Sequence, residues 1–152
     1  MANPIDYLND SDLWVRLEAS KALVLSGLDA EAALNEAISR LDIETQWRAA
    51  AILGIVKAVD SIPALVKLSD GAGYEVKLNC VWSLGEIGDE NGVAPLMAIV
   101  NAGEDESPDI RYAAALALIR LGQSAALEAR LQDTTGLAYR VVHAALITAR
   151  FL

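Results

Sequence analysis

A single histidine, His143, and a single cysteine, Cys80, limit the chemistry this chain can perform unaided. One imidazole cannot assemble the three- or four-ligand set that zinc or iron takes through nitrogen and sulfur, and no cysteine is placed to help it. His143 is therefore expected to be structural, packed near the C-terminal end with its ring hydrogen-bonded. Cys80 falls on the apolar face of a helical pattern with no base nearby, which predicts a small buried hydrophobe and not a nucleophile. The acids Glu104-Asp105-Glu106 lack the alternating ligands and terminal glutamate of a calcium loop. Gly71 and Gly73 lead into a helix without the lysine–serine pair of a phosphate loop. No spacing singles out a pair of carboxylates. The expectation is a protein with no catalytic residues, no metal and no cofactor.

Composition narrows the partners. The net charge is −9, from 21 acidic against 12 basic residues, which argues against a nucleic-acid partner, since phosphate neutralisation supplies most of that affinity. Many of the acids have a local explanation: Asp10, Asp29, Asp42, Asp60, Asp89 and Asp109 each stand where a helix is about to begin and can cap it. A partner with a basic surface stays compatible with the balance. Charges interrupt every apolar run, so no membrane contact is expected, and the opening MANPIDYLND lacks a basic stretch followed by an apolar one. A cytoplasmic location is the expectation. Of the residues, 54% are hydrophobic but only 5% aromatic, a balance that favours close-packed helices over strands.

The element that positions everything else is the stretch VKLNCVWSLGEIGDENGVAPL, Val76 to Leu96. Val76, Cys80, Leu84 and Ile87 line one helical face, Gly88 ends the helix, and Asp89 opens the next. Related patterns precede and follow it: Val15, Ala19 and Leu23; Trp47, Ala51, Ile55 and Ala58; Ile110, Ala114, Leu118 and Leu121. Leu84 and Leu118 are expected deep between layers. A basic residue marks each first helix at Arg16, Arg48, Lys77, Arg111 and Arg140. Two-helix units returning at such intervals indicate a repeat architecture.

With their VR-like starts, the small residue three places on and the LGEIGDENGVAPL turn, these units resemble HEAT repeats of the short bacterial kind associated with phycobilisome lyases. The resemblance runs over about residues 10–150. It implies a single domain, 1–152, folded as an all-α, right-handed solenoid of about four and a half helix pairs, with repeats near 10–40, 42–69, 70–101 and 107–131 and a half repeat at 134–152. The second repeat departs from the pattern by lacking a glycine where Val59 stands. The resemblance also implies a role in binding another protein as an adaptor, or alternatively as a phycobilin lyase subunit. An iron-dependent hydroxylase of this repeat class would carry several His-Glu pairs, and a helix-repeat DNA glycosylase would need a basic groove; this chain has neither.

Two surfaces are candidates for function. The basic column is expected to form a structural row in which each cation meets an acid of the adjoining turn. The outer face of the second helices, which by the resemblance lines the concave side, carries an apolar centre (Val66, Pro95, Met97) and charged flanks (Glu36, Lys67, Glu128), the pattern of a protein-binding patch. Trp14, Trp47 and Trp82 lie at offsets −2, −1 and +5 from the basic column and so do not read as one stripe.

Overall fold

The computed structural model describes residues 2–40, 42–133 and 136–152. Long and short helices alternate: α1 Leu13–Ser26, α2 Glu31–Ile38, α3 Ile43–Ile55, α4 Ile62–Ser69, α5 Tyr74–Ile87, α6 Val93–Val100, α7 Pro108–Arg120, α8 Ser124–Asp133 and α9 Gly136–Ala149. Short 3-10 turns at Pro4–Tyr7, Gly27–Ala30, Val59–Ser61 and Glu90–Gly92 join them, and no strand occurs among the described residues. The chain is an all-α solenoid of stacked helix pairs.

Packing sets the repeat unit differently from the sequence expectation. Each short helix lies against the long helix that follows it: α2 on α3, α4 on α5, α6 on α7 and α8 on α9, with the Pro4–Tyr7 turn on α1. Among the described residues the nine α-helices make the expected four and a half pairs, but in short–long and not long–short phase: α9, the expected half repeat, is paired with α8, and α1 has only the Pro4–Tyr7 turn against it. The expected start of that half repeat, at 134, lies outside the described residues. The long helices then stack on one another in order, carrying the core.

Local chemistry explains the helix starts. Asn3 accepts from the amide of Ile5, with Pro4 behind it in the first turn. Asp12, not Asp10, caps α1 by accepting from Trp14, while the Asp10 carboxylate takes the amide of Asp12. Asp42 accepts from Thr45 at 2.8 Å and Asp89 from Asn91 at 2.9 Å. Asp29, Asp60 and Asp109 stand inside first turns, where they suit the helix dipole without making a capping bond.

Burial corrects the register of two layers. In α5 the buried residues after Lys77 include Cys80, Val81, Ser83 and Leu84; in α7, after Arg111, they are Ala114, Ala115, Ala117 and Leu118. The same pattern in α3 is Ala49, Ala50, Ile52 and Leu53, which counts from Gln46 and not from Arg48. In α9 the buried set Val142, Ala145 and Leu146 counts from Tyr139, one residue before Arg140. Trp47, Ala51 and Ile55 therefore do not form the inward face of α3; Thr45, fully enclosed, holds the place that Val76 and Ile110 hold elsewhere. Leu84 and Leu118 are inaccessible to solvent, as expected.

In this register the first four long helices end the same way. Four residues after Leu23, Leu53, Leu84 and Leu118 come Gly27, Lys57, Gly88 and Gly122, all with positive φ. The irregular residue of the second repeat is Lys57 (φ +56°), not Val59. A left-handed residue with a side chain costs about 1–2 kcal/mol relative to glycine. Lys57 recovers part of this through an exposed bond from Nζ to the Glu86 carbonyl, 2.5 Å. Lys57→Gly is expected to stabilise the fold by about 0.5–1 kcal/mol. A thermal melt checks this, and an unchanged or lower Tm would contradict it.

Candidate interaction face

Neither of the two reactive side chains sits in a reactive setting. Cys80 is enclosed, and burial pushes its thiol up to about 12, leaving it protonated at neutral pH. His143 is exposed, contrary to the packed and hydrogen-bonded place expected for it, and stacks on Tyr139 with ring centroids 5.7 Å apart. The reason is positional. In α3, α5 and α7 the equivalent residues, Ala50, Val81 and Ala115, are covered by the following long helix, whereas none among the described residues packs on that side of α9.

Three residues at the helix starts share a task, though not the expected one. Arg111, 2% exposed, donates to the carbonyls of Val100 (2.5 Å), Ala102 (3.0 Å) and Gly103 (2.8 Å), closing the C-terminal end of α6. Gln46 does the same for α2 through Arg40 (2.6 Å) and Ile38 (3.4 Å). Arg16 donates to Asp10 (2.7 Å) and Ser11 (3.1 Å). These groups satisfy carbonyls that a terminating segment leaves without donors. Only Lys77 reaches an acid of the adjoining turn, Glu106. Arg48, two residues out of register, pairs with Glu44 in its own helix at 2.6 Å and lies over the Trp47 ring. Arg140 is exposed and makes no ion pair among the described residues.

The two sides of the solenoid differ in spacing. A Cβ added at Gly54 would lie 2.8 Å from the Cα of Ser83, and one at Gly85 would lie 2.7 Å from the Cβ of Ala117. Ser83 in turn donates its hydroxyl to the Ala50 carbonyl at 2.7 Å, so α3 and α5 touch backbone to backbone. Among the described residues, the short helices have no comparable side-by-side packing and lean on long helices instead. A double row of rods curves toward its more closely spaced side, so the long helices line the inside of the curve. The sequence expectation instead puts the concave surface on the short helices. Of its residues, Val66, Lys67 and Pro95 do border one hollow of about 700 Å³ between α4 and α6, beside Asp60 and Asp70. Met97 is half-buried against the core, as Val66 is, and Glu36 and Glu128 are exposed away from that hollow.

On the long-helix side, three residues of each of the first four long helices form an outward stripe. In α1 these are Trp14, Leu17 and Lys21; in α3, Glu44, Trp47 and Ala51; in α5, Glu75, Leu78 and Trp82; in α7, Asp109, Tyr112 and Leu116. The spacing within each stripe is three then four residues, one face of a helix. In the corrected register the tryptophans occupy the three successive positions of this stripe, so they share one side of the molecule, contrary to the offset reading. Trp14 is 73% exposed and Trp82 40%. Leu25 and Ile55 extend the apolar surface toward the helix C-termini, where Glu86 and Arg120 close an ion pair at 2.5 Å that holds the Glu86 carboxyl below its usual range. Sequence reasoning missed this face because it aligned cations. Aligning the Leu53-Gly54 and Leu84-Gly85 pairs would have placed Trp47 and Leu78 in one row.

A family model described as HEAT repeats matches residues 62–148, more than half of the chain. No curated protein matches the sequence. Among the described residues, no helix is long and apolar enough to cross a membrane.

Proposed function

The chain belongs to the HEAT-repeat family, whose repeats generally mediate protein–protein interaction, and from that premise we propose that it is a non-catalytic adaptor holding its partner on the long-helix face. The observation that supports this reading is the outward stripe itself. Leu17 and Trp82 are exposed, and Trp47, Leu78, Tyr112 and Leu116 are half-buried against the core, so successive layers turn part of a large apolar side chain toward solvent on one face. Tryptophan and tyrosine are the side chains most often found at the energetic centre of an interface. A role in phycobilisome processing rests on likeness of the repeats alone; visible absorbance after co-expression with a bilin pathway would turn the reading that way.

The test compares two surfaces. Trp82→Glu combined with Leu116→Glu is expected to reduce partner capture from native lysate at least tenfold. Met97→Glu combined with Lys67→Glu, on the opposite side, should leave it unchanged. Circular dichroism of both variants should match the parent. The reverse pattern would move the site back to the short helices.

A further inference from the structure

This inference rests on the reading of the long-helix face just given and names the partner class. On the α5–α7 part of that face the apolar floor is Leu78, Trp82, Tyr112 and Leu116. Beside Trp82 and Leu116, Ala113, Ala117 and Ala149 are small enough to leave a hollow of about 610 Å³, with Ile119 and Arg120 on its wall. Such a hollow takes one large apolar side chain of a partner, the usual arrangement for an amphipathic helix laid in a groove.

Charge is uneven along this floor. Toward the helix C-termini, Glu86 and Arg120 neutralise each other. Toward the helix N-termini, the cations of α3, α5 and α7 are engaged: Arg48 by Glu44, Lys77 by Glu106, and Arg111 by the carbonyls that end α6; Arg140, one layer on in α9, is exposed and makes no ion pair among the described residues. Glu75 and Asp109 remain. Both are exposed, each three residues before an apolar member of the floor (Leu78 and Tyr112), and neither meets a cation among the described residues. The Tyr74 hydroxyl, donating to Asp109 at 3.4 Å, bridges the two helices at this edge. We propose that the occupant of this face is a basic amphipathic helix of a partner protein, its apolar seam over Trp82 and Leu116 and its lysines or arginines against Glu75 and Asp109. A second copy of this chain, itself at −9, is disfavoured by the same charge.

The experiment uses the full chain and two labelled 18-residue peptides with one shared leucine seam, one carrying lysines and the other glutamates on the polar face. Fluorescence anisotropy at about 0.15 M salt, where screening beyond about 8 Å removes diffuse attraction, reads binding. The lysine peptide is expected to bind at least tenfold more tightly than the glutamate peptide. Glu75→Lys with Asp109→Lys should abolish that preference. Glu36→Lys with Glu128→Lys, which changes the net charge equally on other surfaces, should keep it. An equal loss in both charge variants would overturn the proposal, because net charge alone would then explain the preference. Equal binding of the two peptides, lost for both in Leu116→Glu, would overturn the basic partner while sparing the face. Binding indifferent to Leu116→Glu would overturn the face as well. Sedimentation showing a parent dimer that Leu116→Glu converts to monomer would give the face to a second copy and overturn the proposal.

Discussion

Arg111→Met is expected to destabilise the protein by about 3–5 kcal/mol, measured by urea denaturation, whereas Arg48→Met should cost under about 1 kcal/mol. The two residues look equivalent in the sequence, since both are arginines near the start of a long helix. Their surroundings are not. The guanidinium of Arg111 is almost fully enclosed and serves three carbonyls at the end of α6. Methionine keeps much of the stem and removes the donors, leaving the buried Val100 carbonyl without its partner and loosening the Ala102–Gly103 turn, whose carbonyls are only part-buried. Hydrogen bonds to a charged donor contribute about 1.5–3 kcal/mol each but not additively, because neighbouring carbonyls relax together. Arg48 loses one helix-surface ion pair and a contact over Trp47, both at the solvent boundary. Arg111→Lys should fall between these extremes, as one ammonium cannot match the planar fork. Equal losses at Arg111 and Arg48 would contradict the register assigned here.

What the sequence made legible and what it concealed divide along one physical line. Helices, turns and the existence of repeats follow from apolar spacing and from residues with special backbone chemistry, such as Gly88 and Asp89, and these act within a few residues of themselves. Register between repeats depends on which residue is buried by a neighbouring layer, which is not local. Gln46 and Arg48 show the difference: charge type pointed to Arg48, while the carbonyls of Ile38 and Arg40 are served by the neutral Gln46. The error of two positions rotated α3 by more than half a turn and hid Trp47 from the outward stripe. The phase of the unit was concealed for a similar reason. A helix followed by a tight turn suggests a pair, yet the tight turn here joins neighbouring units, and pairing is decided by packing across the looser connection. The site inherited both errors, since Glu36, Val66, Lys67, Pro95, Met97 and Glu128 were chosen from a side whose curvature only the spacing of the long helices reveals.

That spacing is itself testable. Gly54→Ala is expected to destabilise the protein by about 2 kcal/mol although alanine is the better helix former by about 1 kcal/mol. The added Cβ would meet Ser83 at its Cα, 2.8 Å away, as well as at its side chain, so no rotamer change relieves the contact and α3 must move from α5. The same movement lengthens the Ser83 bond to the Ala50 carbonyl. Gly85→Ala is the instructive comparison: its closest neighbour is the Cβ of Ala117 at 2.7 Å, with the Cα at 3.2 Å. Ala117→Gly should therefore rescue most of the packing loss at Gly85, whereas Ser83→Ala should rescue little at Gly54. Double-mutant cycles on thermal or urea unfolding measure both couplings. Because these contacts hold the long helices at their separation, Gly54→Ala should also disturb the adjoining stripes of Trp47 and Trp82, the face to which binding is assigned. A Gly54→Ala protein that unfolds like the parent would mean that the long helices are not drawn together as described. The assignment of the inner curve, and the interaction face with it, would then fail.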